Sequence, residues 1–335
     1  MSHRPADRVP AWPGLIPSQA KFVPADPDLT ERVRFALKRR GTAERLVNAG
    51  SGRTFIRFIC QDGTSYFLKA MPTELAAKIA AAERIARWLK DRGAPAIAAV
   101  APEPLSFGDE QCIVVYPYQA GRAPDVTEAD ARSLGRALGC LHLALSEHPD
   151  CEAWRLATAQ RIDRLSGIRA RLAEGNLRAG PDPDRLAVIA RDASIDFRPQ
   201  AFQDLGIETA LHGDLNVFNV IVTPEGPEFL DFEDVHHSFL PAVFDIATLY
   251  ERVFLVRDQD DGRASRCAQA LIRSYEDSRG LPMPVLRRLP DVLRGLALRA
   301  LCTLCAIDPE IRDRDEWLKF FYLHDTVVHR EAIFS

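Results

Sequence analysis

The feature that most constrains the fold is a change of sequence pattern near residue 120. Before it, two short runs, RTFIRFIC and SYFLKA, alternate apolar and polar residues on either side of a DG pair. Alternation around a glycine, which tolerates positive φ, predicts a β-hairpin. After the stretch YPYQAGRAPD at 116–125, whose Gly and Pro content is typical of a hinge, nearly every segment has helical periodicity. We therefore predict an α+β chain with a small β-rich lobe followed by a larger, mainly helical lobe.

Individual elements follow from the same patterns. The Ala-rich run TELAAKIAAAERIARWLKDRG is free of interior Gly and Pro, which predicts a helix that ends at Gly93. The run APEPLSFGDEQCIVVYPY predicts two more short strands around a GDE turn. Further helices are predicted over 127–145, 157–174, 184–193, 241–257, 263–279 and 284–330, the last with breaks near Pro290 and Asp308. A loop and two short strands are expected in the block at 209–235.

Length and composition narrow the class of protein. A chain of 335 residues suits two lobes, and we assign 1–28 to a Pro-rich lead-in, 29–119 to the N-lobe and 120–335 to the C-lobe. The mean hydropathy is −0.14, and no uncharged apolar run approaches the ~18 residues of a spanning helix. The start of the chain lacks a signal-peptide pattern. We therefore expect a cytoplasmic protein, a monomer or homodimer, with no membrane partner. A nucleic-acid partner is not expected, since the isoelectric point is near 6.1.

The seven cysteines are odd in number and scattered, which favours reduced thiols over disulfides. Cys302 and Cys305 form a CxxC motif within an apolar stretch. They lack a second pair or a nearby His for a zinc site, so we predict that they pack in the core.

Charge is unevenly distributed along the chain. Residues 200–335 hold 14 basic and 23 acidic side chains, a net charge of −9. Such a balance is typical either of a solvated helical surface or of a surface that attracts a cation.

The densest polar chemistry lies in the block LHGDLNVFNVIVTPEGPEFLDFEDVHH. Its loop contains His212, Asp214 and Asn219, and two apolar strands joined by a PEG turn lead to Asp231. Carboxylate and carboxamide oxygens are hard ligands that suit Mg²⁺. A carboxylate that binds no metal can accept a hydroxyl proton. One base with two metal ligands is the minimum for phosphoryl transfer to an alcohol.

These residues carry a family resemblance. The segment HGDLNVFN at 212–219 fits the HxDxxxxN signature of the aminoglycoside phosphotransferase and choline kinase superfamily, and LDFED at 230–234 resembles its metal-binding segment. The resemblance covers about residues 44–255 and implies a protein-kinase-like fold. It also implies Mg²⁺ and ATP as cofactors, with GTP as the alternative nucleotide.

The resemblance implies roles for individual residues. Asp214 corresponds to the catalytic base, and Asn219 and Asp231 correspond to the Mg²⁺ ligands. Lys69 resembles the lysine that contacts the α- and β-phosphates. Its expected partner is Glu83 in the following helix, with Glu74 as the second choice.

Other positions are implied more loosely. The AGSGRT turn resembles the loop that covers the phosphates, although it departs from a full GxGxxG. Nucleotide contacts are expected from Ser51, Gly52, Arg53, Pro117, Tyr118 and Gln119. His212 is expected to shape the loop. Asp245 resembles an aspartate that braces the catalytic loop, and an N-cap of the next helix is the alternative.

Two departures from protein kinases indicate a small-molecule acceptor. Gly213 stands where protein kinases have Arg, and only 14 residues separate Asp231 from Asp245, which leaves no room for a peptide-binding activation loop. The DFE sequence resembles that of choline and ethanolamine kinases. We expect a cationic acceptor such as an amino sugar, an aminoglycoside or an amino alcohol, with Glu233, Asp234 and Glu251 as candidate contacts.

Two alternatives remain at this point. His212, Asp214, Asp231 and His236 could instead bind two metal ions in a hydrolase. The chain could also be a kinase-like binding module without turnover. A hydrolase needs neither the AGSGRT loop nor Lys69, and a binding module does not need the base, the metal ligands and the lysine together.

Overall fold

A computed structural model describes residues 21–47, 54–206, 208–279, 286–308 and 310–334. These residues form two compact units, which we call the N-terminal unit (21–124 with 217–234) and the C-terminal unit (125–216 with 235–334). The assignment of 29–119 to nucleotide binding and of 120–335 to catalysis and acceptor binding stays a prediction.

The N-terminal unit contains a six-stranded antiparallel sheet in the order β1-β2-β3-β4-β6-β5. The strands are β1 (Lys21–Pro24), β2 (Gly41–Val47), β3 (Thr54–Cys60), β4 (Ser65–Pro72), β5 (Leu105–Ser106) and β6 (Gln111–Pro117). The predicted hairpin is confirmed as β3–β4, where Gly63 takes the positive φ of 84° that its turn requires. The strands predicted around the GDE turn are confirmed as β5 and β6.

The start of the described chain differs from the expected lead-in. Residues 21–24 pair with β2 as an edge strand, and α1 (Pro27–Leu37) follows. Helix α1 was not predicted, because its buried side consists of only Leu29 and Val33 in a highly charged segment. Asp26 caps the helix by accepting a hydrogen bond from the backbone N–H of Leu29 at 2.8 Å.

The two faces of the sheet carry two apolar clusters, because successive side chains of a strand alternate between faces. Ile113 and Val115 of β6 belong to one cluster, whereas Val114 and Tyr116 belong to the other. The second cluster also includes Ile79 of α2 (Ala76–Asp91), so α2 packs on that face. Confirming the prediction, α2 ends just before Gly93, which has φ 72°.

A hairpin from the middle of the chain completes the N-terminal unit. Strands β8 (Val220–Thr223) and β9 (Gly226–Phe229) pair as predicted. The backbone of Phe229 bonds to Pro95 and Ile97 at 2.9 and 2.8 Å, and Val222 exchanges two backbone hydrogen bonds with Arg122. These bonds join segment 217–234 to the rest of the N-terminal unit, which ends at Pro124.

The C-terminal unit is mainly helical, as predicted. Its helices are α3 (Glu128–Ser146), α4 (Cys151–Ala173), α5 (Pro183–Arg191), α6 (Val243–Tyr250), α7 (Asp261–Arg279), α8 (Leu289–Ile307) and α9 (Arg314–His329). A short two-stranded ladder of β7 (Glu208–Ala210) and β10 (Phe239–Pro241) was not predicted. Helix α6 continues into a π-helical turn, Glu251–Leu255, within the predicted 241–257 helix.

Close packing in the C-terminal unit depends on small residues. A Cβ added to Gly135 of α3 would lie 2.3 Å from the carbonyl oxygen of Leu271 in α7, so only glycine allows this approach. Cys302 is fully buried in a cluster with Trp317 and Phe321, and Cys305 packs against it. This confirms their predicted core role, and burial raises the pKa of both thiols to about 12. No helix in the described ranges is both long enough and apolar enough to cross a membrane.

Candidate active site

The loop that contains Asp214 is held by a buried carboxylate in the C-terminal unit. Asp245 accepts hydrogen bonds from the backbone N–H groups of His212 at 2.7 Å and Gly213 at 3.0 Å. Gly213 has φ 87°, a conformation that glycine adopts readily. Helix α6 starts after Ala242 without a side-chain cap, so Asp245 is not its N-cap.

Asp245 is itself held from behind by a buried histidine. His142 contacts Asp245 Oδ2 through Nε2 at 3.0 Å and the Tyr275 hydroxyl through Nδ1 at 2.9 Å. Burial lowers the pKa of His142, although Asp245 opposes this shift. Because an ionised carboxylate only accepts hydrogen bonds, Nε2 of His142 is the donor to Asp245. Burial alone would raise the pKa of Asp245, but its hydrogen bonds with His142 and Gly213 bring it below the ordinary value.

Within the loop, the two polar side chains differ in environment. His212 is fully buried, and its Nδ1 accepts a hydrogen bond from the backbone N–H of Asp214 at 3.4 Å. The side chain of Asp214 is exposed, and Asn216 donates to its Oδ2 at 3.1 Å. A carboxylate that is fixed by its neighbours yet open to solvent can accept a proton from a small molecule.

The predicted metal ligands lie at one end of the β8–β9 hairpin, in the N-terminal unit. Asn219 directly precedes β8 and Asp231 closely follows β9, and Val220 pairs with Phe229, so the pairing brings these chain ends together. The backbone carbonyl of Asn219 accepts from the N–H of Leu230 at 3.1 Å. Asp231 has φ 70°, which costs a non-glycine residue about 1–2 kcal/mol. Their hard oxygen donors fit Mg²⁺ by ligand type.

Lys69 joins this end of the hairpin. Phe67 and Met71, two residues to either side of Lys69 in β4, belong to the cluster on the α2 face, so Lys69 lies on that same face. Its ammonium is buried and donates to Asp231 Oδ2 at 2.8 Å and to Glu233 Oε1 at 2.7 Å. Lys78 of α2 donates to the other oxygen of Glu233 at 3.2 Å. Two carboxylates and two ammonium groups therefore form one chain of ion pairs.

The expected ion pair between Lys69 and Glu83 is not formed. Glu83 accepts instead from the Tyr116 hydroxyl at 2.5 Å and from the backbone N–H of Ala99 at 2.9 Å. Its charge is close enough to Lys69 for the ammonium to oppose the burial that raises its pKa. The position of Glu83 in the helix correctly predicted that its side chain lies near Lys69. It could not show that Glu233, taken as an acceptor contact, already holds the lysine.

The remaining predicted nucleotide contacts are spread over two segments. Ser51, Gly52 and Arg53 lie outside the described residues. Pro117 ends β6, and Tyr118 and Gln119 follow it half-buried. The backbone N–H of Tyr118 donates to the carbonyl of Ser65 at 3.1 Å, which ties the predicted hinge to β4.

The candidate acceptor contacts fall in different places. Asp234 is half-buried at the end of the N-terminal unit's hairpin segment. Glu251 is buried in the π-helical turn of the C-terminal unit, where Arg252 contacts it at 3.1 Å. His236, a ligand in the hydrolase alternative, packs edge-on against Trp154 with ring centroids 6.0 Å apart. Over the described ranges, no group of three or more His, Cys, Asp or Glu residues is arranged to hold a metal ion.

An antiparallel sheet in the N-terminal unit and helices in the C-terminal unit give the chain a protein-kinase-like fold. The model of the phosphotransferase enzyme family matches residues 45–319, and the chain belongs to this family. Membership favours an enzyme that phosphorylates a hydroxyl group over the dinuclear hydrolase and over a binding module without turnover.

Solved structures support the fold. The chain is similar to amicoumacin kinase hAmiN (in complex with AMP-PNP, Ca²⁺ and Ami) at 15% identity and a TM-score of 0.55, covering 94% of this chain and 90% of that one. It is also similar to the macrolide 2′-phosphotransferase MphH of Brachybacterium faecium at 16% identity and a TM-score of 0.58, covering 90% and 98%. An aminoglycoside phosphotransferase of Alicyclobacillus acidocaldarius matches at 14% and 0.52, covering 93% and 95%. No curated protein sequence matches the chain.

Proposed function

We propose that the protein is an ATP-dependent kinase that transfers the γ-phosphate to a hydroxyl group of a small, amino-bearing acceptor. The observation that carries this proposal is the 2.8 Å contact between Lys69 Nζ and Asp231 Oδ2, two residues that lie 162 positions apart. A buried lysine beside the carboxylate of an LDFED segment is the pairing that a phosphate-binding site needs, because both groups act on the same polyphosphate. Structural relatives in complex with AMP-PNP or ADP support a nucleotide as phosphate donor.

Asp214 is the base in this proposal. The acceptor oxygen forms a bond to the γ-phosphorus, and the bond from that phosphorus to the bridging oxygen of ADP breaks. The proton of the acceptor hydroxyl passes to a carboxylate oxygen of Asp214. Asn216 holds one of these oxygens at 3.1 Å, and Asp245 fixes the backbone of the loop, so the base is oriented before the acceptor arrives.

Asn219 and Asp231 are the residues that would hold Mg²⁺. Bound there, the ion would neutralise charge on the nucleotide phosphates. Lys69 contributes a fixed positive charge to the same phosphates, and Glu233 keeps its ammonium in place at 2.7 Å. Glu83 would act on the nucleotide indirectly, through Tyr116 of β6. Ser51, Gly52, Arg53, Pro117, Tyr118 and Gln119 remain the proposed nucleotide contacts, with GTP as the alternative donor.

The acceptor is proposed to be cationic because the last part of the chain is strongly acidic, with a net charge of −9 over 200–335. Relatives whose names specify amicoumacin, macrolide or spectinomycin substrates support a small molecule. Asp234 and Glu251 remain proposed contacts of its amino group. Glu233 is better assigned to the lysines, since both of its oxygens accept from ammonium groups.

The test is ADP release from Mg·ATP and from Mg·GTP across aminoglycosides, amino sugars, choline, ethanolamine, homoserine and neutral sugars. Release that depends on one acceptor and is lost in Asp214→Ala supports the kinase and identifies the acceptor class. Asp231→Ala should abolish Mg²⁺-dependent nucleotide binding. Unchanged Mg·ATP affinity in that variant would count against Asp231 as a metal ligand, and absence of nucleotide binding by the wild type would contradict the proposal.

A further inference from the structure

A second set of side chains in the C-terminal unit surrounds Glu251, a proposed acceptor contact, and four of its five members have no role in the scheme above. It consists of Glu251 and Arg252 from the π-helical turn and Glu316, Lys319 and Phe320 from α9. Turns with π-helical hydrogen bonding occur frequently at functional sites. We call these five residues the α9 charge cluster.

The two cations of the α9 charge cluster meet at one aromatic ring. The guanidinium of Arg252 lies 5.3 Å from the centroid of Phe320, and Lys319 Nζ lies 4.7 Å from the same centroid. Their side chains are only 14% and 12% exposed. Two positive charges are thus held close together in a largely desolvated place, where they repel each other.

The charges of the cluster act on one another and on the base. Burial lowers the pKa of Lys319, the charge of Arg252 lowers it further, and Glu316 and Asp214 oppose the shift. Helix α6, whose Asp245 holds the loop of Asp214, also runs directly into the turn that carries Glu251 and Arg252, so the cluster lies in the same part of the C-terminal unit as the base. A group bound beside Lys319 would lie close to the acceptor hydroxyl that Asp214 is proposed to deprotonate.

Each cation has one carboxylate partner and retains free donors. Glu251 contacts Arg252 Nε at 3.1 Å, and Glu316 contacts Lys319 on the same helix. Across the described part of the chain, the two terminal guanidinium nitrogens of Arg252 have no hydrogen-bond acceptor. A planar fork with free N–H groups matches a carboxylate or phosphate, and an incoming anion would offset the repulsion between the two cations.

Glu251 adds an independent observation. It is 3% exposed, and its Oε1 accepts no hydrogen bond from any residue that the structure describes. A buried carboxylate oxygen without a donor has lost its hydrogen bonds to water and gained none in exchange, which is unfavourable. An ammonium or hydroxyl group on a ligand would supply that donor.

We infer that the acceptor carries an anionic group, a carboxylate or phosphate, which Arg252 and Lys319 recognise beside Asp214. This inference rests on the proposed function and refines it. An acceptor with an amino group for Glu251 and an anionic group for the two cations is zwitterionic, so the substrate class is an amino-hydroxy acid. A simple amino alcohol or aminoglycoside would offer no anionic group to the remaining donors of Arg252 and Lys319.

The experiment compares matched pairs of hydroxyl compounds that differ only in the anionic group. Serine and serinamide, homoserine and homoserinamide, and glycerate and glyceramide would be titrated into the full-length protein with Mg·AMP-PNP. Binding is followed by calorimetry, so the result does not depend on turnover. We expect the anionic member to bind about tenfold or more tightly than its neutral partner in at least one amino-acid pair, as a charge-assisted pair provides.

Variants assign the preference to the cluster. Arg252→Met and Lys319→Met should each remove most of the preference, and Arg252→Lys should restore part of it. Arg314→Met is the matched control, because it removes an exposed positive charge from the first turn of the same helix. It should leave the preference intact.

The outcomes separate this inference from the kinase proposal. Equal binding of charged and neutral members across all pairs overturns the inference, whatever the ADP-release assay shows. A preference that persists in both Met variants overturns the assignment to Arg252 and Lys319. A lower melting temperature in these variants with an unchanged preference would show that the cluster serves only to hold α9. Loss of ADP release in the wild type with the anion preference intact would instead contradict the kinase.

Discussion

Replacing Glu233 by Gln tests which carboxylate positions the nucleotide lysine. Lys69 and Glu233 have side chains that are 5% and 9% exposed, and their atoms are 2.7 Å apart. A hydrogen bond to a charged group contributes about 1.5–3 kcal/mol. The second pair, from Glu233 to Lys78, is worth only about 0.2–1 kcal/mol because Lys78 is 48% exposed. Asp231 still holds Lys69 in the variant, so the expected loss is at the lower end, about 2 kcal/mol.

That loss should be visible in the use of ATP. If Lys69 acts on the phosphates, about 2 kcal/mol corresponds to a decrease of about 10–30-fold in kcat/KM for Mg·ATP. The assay is ADP release at a saturating concentration of acceptor with the nucleotide varied. Lys78→Met should lower the same ratio less than about fivefold, because it removes only the exposed pair.

Glu83→Gln is the matched control for Glu233→Gln. A glutamine at position 83 can accept from the backbone N–H of Ala99 with its oxygen and donate to the Tyr116 hydroxyl oxygen with its NH2 group, so the change should leave kcat/KM for ATP nearly unaltered. The reasoning is refuted if Glu83→Gln causes the large decrease and Glu233→Gln leaves kcat/KM at the wild-type value. That result would show that Glu83 of α2, the partner expected from the sequence, positions Lys69.

Three further predictions concern the base, pH and packing. Asp214→Ala should lower kcat by about 10²–10⁴-fold and leave Mg·ATP affinity nearly unchanged, because a base acts in the transition state. The wild-type protein should lose stability relative to His142→Gln as the pH falls from 6.5 to 5. Burial lowers the pKa of His142 in the folded state below 6.5, so the unfolded state binds more protons in this range. The free energy of unfolding of the wild type should therefore decrease by up to about 1.4 kcal/mol per pH unit. Gly135→Ala should cost about 1–3 kcal/mol by overpacking against Leu271, whereas Gly167→Ala, in open space within α4, should stabilise by about 0.5–1 kcal/mol.

Each of these predictions has a clear contrary result. Turnover of Asp214→Ala at the wild-type rate would remove Asp214 as the base. Parallel curves of unfolding free energy against pH for wild type and His142→Gln, measured in urea, would show that His142 is protonated as readily in the folded state as in the unfolded state. Equal melting temperatures for the two glycine variants would show that helices α3 and α7 can separate without cost.

Much of the fold could be predicted because its signals are local. The DG turn between alternating runs gave the β3–β4 hairpin, and the Ala-rich run up to Gly93 gave α2. Both depend on residues that are neighbours in the chain, where turn geometry and helical periodicity act directly. Helix α1 was missed for the converse reason: its burial comes from packing on the sheet, and its own sequence is dominated by charge.

The candidate site divides in the same way. Its motif residues were found from the sequence because Asp214, Asn219 and Asp231 lie within one short block whose spacing is fixed by a loop and a hairpin. The contact between His142 and Asp245, which holds the loop of Asp214, was not found from the sequence. His142 reaches Asp245 from 103 residues away, and no periodicity in α3 distinguishes it from a core histidine.

The sequence by itself determined which chemical groups this protein has, the β3–β4 hairpin, most of the helices and the place of the motif along the chain. Only the tertiary structure decided which of two carboxylates holds Lys69, and that Arg252 and Lys319 meet at one ring. The physical reason is range. Turns, caps and periodicity act over a few residues, whereas an ion pair depends on a distance of a few ångströms between side chains that the chain can separate by any number of residues.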